Sequence, residues 1–465
     1  MRRILFLAVV VVAAAIPATA QAGTLSVQAG VVTYTDTDPN ATNVVGVSMS
    51  SDRSRISFGD SGRTGGHAVV VSSDGSCTAS RSSGSCPAAG VSLIVISTGD
   101  QNDRITQNVP IATRLVGGNG NDTLTGGPAD DVLIGEAGAD TLAGRDGRDT
   151  ADYSARTAPV AVSLDGTAND GEAGENDNVG ADVEIVAGGS GNDQLAGNDG
   201  DNALLGNAGD DMLGGGGGND QLDGGAGNDT LAGGAGSDTL TGADGTDTAS
   251  YAESGAAVRV VLDGKPGDGA PGENDNVDTE NVTGSGGDDT LIGNGRANAI
   301  SGGGGNDRIL GGNGPDTLDG GAGDDILQSL DGEKDIVACG DGEDGVVSDR
   351  RDARSDCDYI KYRSLAATST ALHVSKGYVR APVRCSPATA DGCRGRLALK
   401  AGRTTLGSLT YRLSSGRRWV ARVKLTRRGA AYVATRRVAK ASLVVRERDA
   451  TGDAVRTTQT IRIAR

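Results

Sequence analysis

The sequence predicts an all-β protein: a central parallel β-roll, a β-rich cap before it and a small β-sandwich after it. A nine-residue pattern, G-G-x-G-x-D-x-U-x with U a large aliphatic, recurs sixteen times with variations between residues 117 and 328. Aromatic residues make up only 2% of the chain and 76 of its 465 residues are glycine, which excludes a compact aromatic core over most of it. After residue 365, apolar residues alternate with polar ones between short turns, as in the strands of a sandwich.

The nonapeptide spacing explains the roll. Residues 117–125 read GGNGNDTLT, and four copies fill 117–152, seven fill 188–250 and five fill 284–328. The glycines allow tight turns, and x-U-x forms a short strand with one inward side chain. One unit cannot bury that side chain alone, so units stack, two to a coil, with coils ~4.8 Å apart. The inward aliphatic residues form two predicted ladders: Leu124, Leu133, Leu142, Leu195, Leu204, Leu213, Leu222, Leu231, Leu240, Leu291, Ile300, Ile309, Leu318 and Leu327.

The sixth position of the repeat is acidic in fourteen of the sixteen copies, with Asn202 and Asn298 in the other two. Stacking places these carboxylates in rows, where two charges ~5 Å apart repel by about 3 kcal/mol at an effective dielectric near 20. Such rows need a counter-ion, and carboxylate and carbonyl oxygens suit Ca²⁺. The candidate metal ligands are Asp122, Asp131, Asp140, Asp149, Asp193, Asp211, Asp220, Asp229, Asp238, Asp247, Asp289, Asp307, Asp316 and Asp325.

Over about half of the chain, this pattern resembles the RTX, or haemolysin-type calcium-binding, repeat family. The resemblance implies that several Ca²⁺ ions bind to the sixth-position side chains. It also implies that backbone carbonyls at positions one and three, such as those of Gly224 and Ala226, are ligands. Sites at Asn202 and Asn298 should be weaker or absent, because an amide carries no charge.

The domain boundaries follow the pattern. We expect a cap over 23–98 and the roll over 99–357, interrupted by inserts at 153–187 and 251–283. The inserts resemble each other and have lengths close to two coils, so we interpret them as wide coils of the roll. Their acidic loop either binds an extra cation or is a solvated loop; in the first insert its carboxylates are Asp170, Glu172, Glu175 and Asp177.

The six cysteines fall into local pairs. Cys339 and Cys357 are 18 residues apart, which is one coil, so they should face each other across adjacent coils within disulfide distance. The other expected pairs each bracket a short loop: 77 with 86, and 385 with 393.

The charge is divided unevenly along the chain. Residues 1–360 hold 19 basic and 57 acidic residues, whereas residues 361–465 hold 24 basic and 4 acidic. The basic domain, 365–465, resembles immunoglobulin-like modules at the ends of secreted actinobacterial proteins. It either binds a cell-wall or other anionic polymer such as teichoic acid, or is a basic surface that is solvated or docks on the acidic roll. Few aromatics are available to stack on bases, which argues against specific nucleic-acid recognition.

The first 22 residues have the pattern of a secretion signal. Arg2 and Arg3 precede an apolar run over 4–16, and the residues around 20–22 form a small-residue cleavage motif. Cleavage follows Ala22, with Ala20 as the alternative. The run is too short to span a membrane comfortably, and no later segment is long enough. We therefore expect an extracellular protein, exported by the general or the twin-arginine route.

The leading functional hypothesis is a secreted, non-enzymatic calcium-binding protein with a surface or matrix adhesion role; the alternative is a secreted protease or lipase carrying an RTX tail. The chain holds two histidines and neither an H-E-x-x-H nor a G-x-S-x-G motif. Residues 59–62 (GDSG) match part of a serine-protease motif, but His67 follows Ser61, which is the wrong order for that family.

Overall fold

The structure is a computed structural model in which the chain divides into two units, residues 1–198 and 199–465. It describes residues 24–36, 42–60, 70–71, 77–79, 83–348, 351–357, 359–360, 365–367, 371–375, 378–385, 393–401, 404–413, 418–427, 430, 438–448 and 454–464. The expected signal sequence, 1–22, lies outside the described residues. Among those residues, no helix has the length and apolar character needed to cross a membrane.

The first unit is built from strands. They are β1 (Thr24–Gln28), β2 (Val31–Thr35), β3 (Val44–Met49), β4 (Arg55–Asp60), β5 (Val70–Val71), β6 (Thr78–Ala79), β7 (Ser83–Pro87), β8 (Leu93–Asp100), β9 (Arg104–Gln107), β10 (Thr113–Asn119), β11 (Thr123–Thr125), β12 (Val132–Ala137), β13 (Thr141–Ala143), β14 (Thr150–Asp152), β15 (Val160–Ser163), β16 (Gly171–Glu172), β17 (Asn178–Val179), β18 (Ile185–Ala187) and β19 (Gln194–Ala196).

Two parallel sheets wind through this unit as a solenoid. One runs β2-β8-β10-β12-β14-β18 and the other β3-β9-β11-β13-β17, with every neighbouring pair parallel. Antiparallel strands cover the first coil, with β1 on β2 and β4 on β3. The segment expected to be a cap therefore contains the first coil of the roll itself.

The core of the first unit consists of two ladders of buried side chains, one for each sheet. The first ladder is Tyr34, Ile96, Leu115, Leu133, Ala151 and Val186. The second is Val45, Ile105, Leu124, Leu142 and Val179. The parallel partners Leu124 and Leu142 are one 18-residue coil apart, which confirms the stacking that the nonapeptide predicts.

The second unit continues with the same kind of strands. They are β20 (Ala203–Ala208), β21 (Met212–Gly217), β22 (Gln221–Gly227), β23 (Thr230–Ala235), β24 (Thr239–Gly245), β25 (Thr248–Ser250), β26 (Arg259–Val261), β27 (Pro266–Asp268), β28 (Asp275–Asp278), β29 (Asn281–Thr283), β30 (Thr290–Ile292), β31 (Ala299–Ser301), β32 (Arg308–Leu310), β33 (Thr317–Asp319), β34 (Ile326–Ser329), β35 (Ile336–Ala338), β36 (Gly345–Ser348), β37 (Ala353–Ser355) and β38 (Tyr359–Ile360).

Its parallel sheets are β20-β22-β24-β28, β21-β23-β25-β29-β31-β33-β35-β37 and β26-β30-β32-β34-β36-β38. Each aliphatic residue of the repeat again stacks on its counterpart one coil away, as Leu213 does on Leu231 and Ile309 on Leu327. The described roll is therefore an all-β parallel solenoid in both units, as the sequence predicts.

Both inserts are coils of the roll. In the first insert, β17 and β18 pair in parallel with strands of the coil before it, while β15 pairs with β19 of the repeat that follows. In the second insert, β28 and β29 pair with β24 and β25, and β26 pairs with β30. Each insert thus ends one parallel sheet and begins another.

Two of the expected disulfides are present. Cys339 and Cys357 are joined with their Cα atoms 5.0 Å apart, and Cys77 is joined to Cys86. The first of these links adjacent coils at the C-terminal end of the roll, which confirms the argument from the 18-residue spacing. The pairing of residues 385 and 393 concerns side chains outside those that the structure describes.

The C-terminal strands are β39 (Leu365–Ala367), β40 (Ala371–Ser375), β41 (Tyr378–Cys385), β42 (Cys393–Ala401), β43 (Thr404–Leu413), β44 (Arg418–Lys424), β45 (Val438–Arg448) and β46 (Ala454–Ala464). They follow the order β39-β41-β40-β46-β45-β42-β43, and β44 pairs with β41. All pairs are antiparallel except β40 with β46. This mostly antiparallel domain is consistent with the expected β-sandwich.

Candidate metal centre

The sixth-position Asp side chains form buried ladders along the turns. In each step, the backbone N–H of one turn donates to an oxygen of the Asp in the next coil, as the N–H of Asp122 does to Oδ1 of Asp140 over 2.7 Å. Oδ1 accepts an N–H from the preceding coil in this way at Asp122, Asp131, Asp140, Asp149, Asp193, Asp220, Asp229, Asp238, Asp247, Asp289, Asp307, Asp316 and Asp325. All fourteen candidates, Asp211 included, are at most 3% exposed.

The second oxygen, Oδ2, is the unusual one. Among the described residues it is buried without a hydrogen-bond partner at Asp103, Asp122, Asp140, Asp149, Asp220, Asp229, Asp238, Asp247, Asp307, Asp316, Asp325 and Asp335. A buried polar atom without a partner is costly, and a buried charge is more so. Repeated along a row, these oxygens have no positive partner among the residues that the structure describes.

The surroundings of these oxygens fit a hard divalent cation. A Cβ added at Gly215 would lie closer to Oδ2 of Asp220 than the 3.0 Å that Cβ atoms keep, and 2.5 Å from the carbonyl oxygen of Gly233 in the next coil. Carboxylate and carbonyl oxygens therefore converge above the first glycine of the repeat. No three acidic, histidine or cysteine side chains converge on one point among the described residues, so backbone carbonyls must complete any site. Ca²⁺ accepts such a mixed set of oxygens.

Burial also changes how the rows titrate. Loss of contact with water raises the pKa of Asp140 to about 7, with Asp177 and Asp122 adding to the effect. The pKa of Asp149 is raised to about 7 and that of Asp122 to about 6, again mainly by burial. Without a bound cation, these carboxylates therefore hold protons far above the ordinary range for aspartate.

At three of the fourteen candidates, the chain itself satisfies the Oδ2 atom. Asp193 accepts the N–H of Gly189 over 2.6 Å, and Asp289 accepts the N–H of Ser285 over 2.6 Å. Asp131 accepts both the N–H of Gly127 over 2.7 Å and the side-chain amide of Gln107 over 2.6 Å. The repeat pattern gives no sign of this difference.

The ladders also contain acidic residues absent from the candidate set. Asp177 and Asp275 accept the N–H groups of Asp140 and Asp238, and Glu184 accepts that of Asp149. Their signal is the shortened core of the motif, an acidic residue two positions before an aliphatic one, as in residues 177–179 (DNV) and 184–186 (EIV). Further members, all in degenerate or altered repeats, are Asp103, Asp335, Asp344 and Glu280.

The acidic loop of the first insert has partners within the protein. Arg156 forms ion pairs of 3.1 Å with Glu172 and 3.0 Å with Glu175. Asp170 accepts N–H groups from Ser163 and Val179. These contacts weigh against an extra cation at this loop; the carboxylates are held in ion pairs and hydrogen bonds rather than fully solvated.

One of the two position-six amides, Asn298, is held by hydrogen bonds within the chain. The side-chain Nδ2 of Asn298 donates to the carbonyl oxygen of Glu280 over 2.6 Å, while its Oδ1 accepts the N–H of Asn294. An amide donor thus occupies the side of the turn that faces a carbonyl. This arrangement leaves no carboxylate oxygen for a cation at this turn.

The serine-protease-like motif shows no catalytic arrangement in its described part. Asp60 is buried, and its Oδ2 accepts the hydroxyl of Tyr34 over 3.1 Å. Its Oδ1 accepts the N–H of Val44. Asp60 therefore has a structural role in the first coil, while Ser61 and His67 lie outside the described residues.

The fold and these ladders define a class of protein: a parallel β-roll with rows of buried carboxylates along its turns. A family model described as the RTX calcium-binding nonapeptide repeat (4 copies) matches residues 116–151, 179–213, 214–249, 283–318 and 301–333. The chain is accordingly an RTX-type calcium-binding repeat protein. No curated protein matches it.

Proposed function

We propose that the roll binds several Ca²⁺ ions along its carboxylate rows and folds as they bind. The observation that carries this proposal is the series of buried Oδ2 atoms without hydrogen-bond partners. The sixth-position aspartates hold the ions from the side chain, and the carbonyl oxygens of the position-one glycines supply ligands from the next coil, as Gly233 does opposite Asp220. Bound calcium supplies the positive charge that the rows lack.

The same rows of carboxylates explain why calcium binding should be coupled to folding. The core offers one aliphatic side chain per nine residues, and neighbouring carboxylates repel each other by about 3 kcal/mol for a pair ~5 Å apart at an effective dielectric near 20. A cation that binds only the folded roll stabilises it in proportion to the logarithm of its concentration. The calcium concentration should therefore decide whether the roll is folded.

A calcium titration of the chain from residue 23 onward tests the proposal. We expect circular dichroism and protease resistance to show a large gain of β structure between chelator and millimolar calcium, with magnesium a poor substitute. The double variant Asp229→Ala and Asp238→Ala should need more calcium, whereas Glu253→Ala, at an exposed position outside the rows, should match the wild type. An identical spectrum and identical protease resistance with and without chelator would show the proposal to be wrong.

We further propose that the protein works outside the cell, in surface or matrix adhesion, and that its basic domain binds an anionic polymer. The signal-like first 22 residues and the two disulfides support export, and 24 basic against 4 acidic residues in 361–465 support a polyanion as partner. Sedimentation of the chain with purified cell walls should fall steeply with salt. Binding that is absent, or unchanged at high salt, would count against the polymer.

A further inference from the structure

Most turns of the roll fall into two kinds that differ at the second position of the repeat. The turn of Asp335 fits neither kind, because Asp331 has no positive φ while Oδ2 of Asp335 has no hydrogen-bond partner. In the first kind the second residue has a positive φ, as at Gly118 (110°) and Gly216 (99°). The same sign occurs where the residue is not glycine, at Glu136 (67°) and Arg145 (75°). We call these open turns.

In the closed turns, the second residue has no positive φ, and its N–H donates to the position-six side chain of its own repeat. Gly127, Gly189 and Ser285 donate in this way to Asp131, Asp193 and Asp289. A peptide N–H directed at a carboxylate is itself a positive dipole end and stabilises the charge. The backbone of a closed turn therefore supplies Oδ2 of its own Asp with a hydrogen bond.

The inserts close their turns in a different way. The buried hydroxyl of Tyr153 donates to Oδ2 of Asp177 over 3.0 Å, and that of Tyr251 donates to Oδ2 of Asp275 over 2.9 Å. The same oxygen has no hydrogen-bond partner at open turns such as those of Asp122, Asp140 and Asp220. Two inserts that resemble each other thus use the same side-chain pair to satisfy a member of the row.

We propose that only the open turns bind calcium and that the self-satisfied carboxylates interrupt the calcium rows at each insert. This assignment rests on the proposed function. The carboxylates that do not bind calcium are Asp131, Asp177, Asp193, Asp275 and Asp289. Those of open turns, identified by the positive φ at position two, are Asp103, Asp122, Asp140, Asp149, Asp211, Asp220, Asp229, Asp238, Asp247, Asp307, Asp316, Asp325 and Asp344.

Four of the five interruptions lie at the inserts, and the fifth, Asp131, lies within the first run of repeats. Asp177 is in the first insert and Asp193 in the repeat that follows it; Asp275 and Asp289 stand in the same relation to the second insert. Coils at the inserts therefore need no cation to satisfy these turns. Each run of open turns takes up calcium as its own group, and the inserts separate the groups.

Two matched triple variants of the chain from residue 23 onward test the assignment. The closed-turn variant carries Asp131→Asn, Asp193→Asn and Asp289→Asn. The open-turn variant carries Asp140→Asn, Asp220→Asn and Asp307→Asn. The replaced residues are equally buried in the two sets. The measurement is the number of calcium ions per chain, from equilibrium dialysis at a concentration where each variant has the wild-type circular dichroism spectrum.

We expect the closed-turn variant to bind as many ions as the wild type and the open-turn variant to bind about three fewer, with a higher calcium midpoint. A closed-turn variant that loses as many ions as the open-turn variant overturns the assignment, while the proposed function stands. A wild-type chain that binds no calcium refutes the proposed function and the assignment together.

A second measurement needs no variant, because replacing a closed-turn Asp removes the acceptor of an N–H and can unfold the turn. Crystals of the wild-type chain grown with terbium in place of calcium should give anomalous-scattering peaks beside Asp140, Asp220 and Asp307. Peaks beside Asp131, Asp193 or Asp289 overturn the proposal, whatever the variants show.

Discussion

Replacing Gly215 by alanine tests whether the space above the first glycine of a repeat is the cation site. Gly215 has no positive φ, so an alanine there meets no backbone strain of that kind. Its Cβ would instead crowd Oδ2 of Asp220 and come 2.5 Å from the carbonyl oxygen of Gly233. The adjacent Gly214 is the matched control, because a Cβ there meets nothing within 4 Å.

The size of the effect can be worked from this contact. Forcing a methyl group into a filled space costs about 1–3 kcal/mol. If about five ions bind in one transition in the run of open turns that contains Asp220, that cost is shared among them, and the calcium midpoint of this run rises about 1.4- to 2.8-fold. The ion count is the sharper measurement, since blocking this space should remove about one ion per chain.

The assay compares Gly215→Ala and Gly214→Ala by equilibrium dialysis and by calcium titration followed with circular dichroism. We expect Gly214→Ala to match the wild type in both. Ion counts equal to that of the wild type in both variants would show that calcium does not use the oxygens of Asp220 and Gly233. A loss in both variants would show that glycine is needed there for another reason.

Three further predictions concern acid, cysteines and catalysis. Burial raises the pKa of Asp140 and of Asp307 to about 7 from an ordinary 3.8, so the calcium-free folded roll binds more protons than the unfolded chain. Its stability in chelator should increase as the pH falls from 7 to 4 and be lost as the pH rises through 7, and circular dichroism with flat or opposite pH dependence would contradict this. Peptide mapping without reductant should link Cys385 to Cys393, and either cysteine found in another linkage would disprove the pairing. The purified chain should not hydrolyse peptides, esters or glycans; activity that disappears in Ser61→Ala would instead support the hydrolase alternative.

The sequence predicted the roll because its physical requirements are local and repeated. An aliphatic residue every nine positions has no partner within its own unit, so Leu124 must find its contact one coil away, on Leu142. The same period predicted the link between Cys339 and Cys357. Spacing alone was sufficient for these features, because the coil fixes which residues face each other.

The sequence predicted that the inserts form coils, but not that they end one sheet and begin another. Their lengths indicated coils, and β17 and β18 do pair with the coil before them. The first insert ends one sheet at β17 and begins another at β15. The nonapeptide spacing cannot predict this change of sheet, because the insert does not contain the repeat. The bond from Tyr153 to Asp177 likewise joins residues 24 positions apart, within a segment that has no repeat spacing.

The choice between open and closed turns lies beyond the repeat pattern, because residue type at position two does not decide it. Gly127 and Gly189 both match the consensus, yet they form closed turns, whereas Glu136 and Ala243 form open turns against the ordinary preference of a side chain for negative φ. In these two open turns, the residue at position two pairs with the coil before it, Glu136 with Gly118 and Ala243 with Gly225. The closed turn at Asp193 instead follows an insert, where the N–H of Val160 takes the place of an Asp N–H in the ladder. Val258 takes the same place before Asp289. The neighbouring coil therefore selects the turn, so the sequence of a single repeat cannot identify which aspartates are left for calcium.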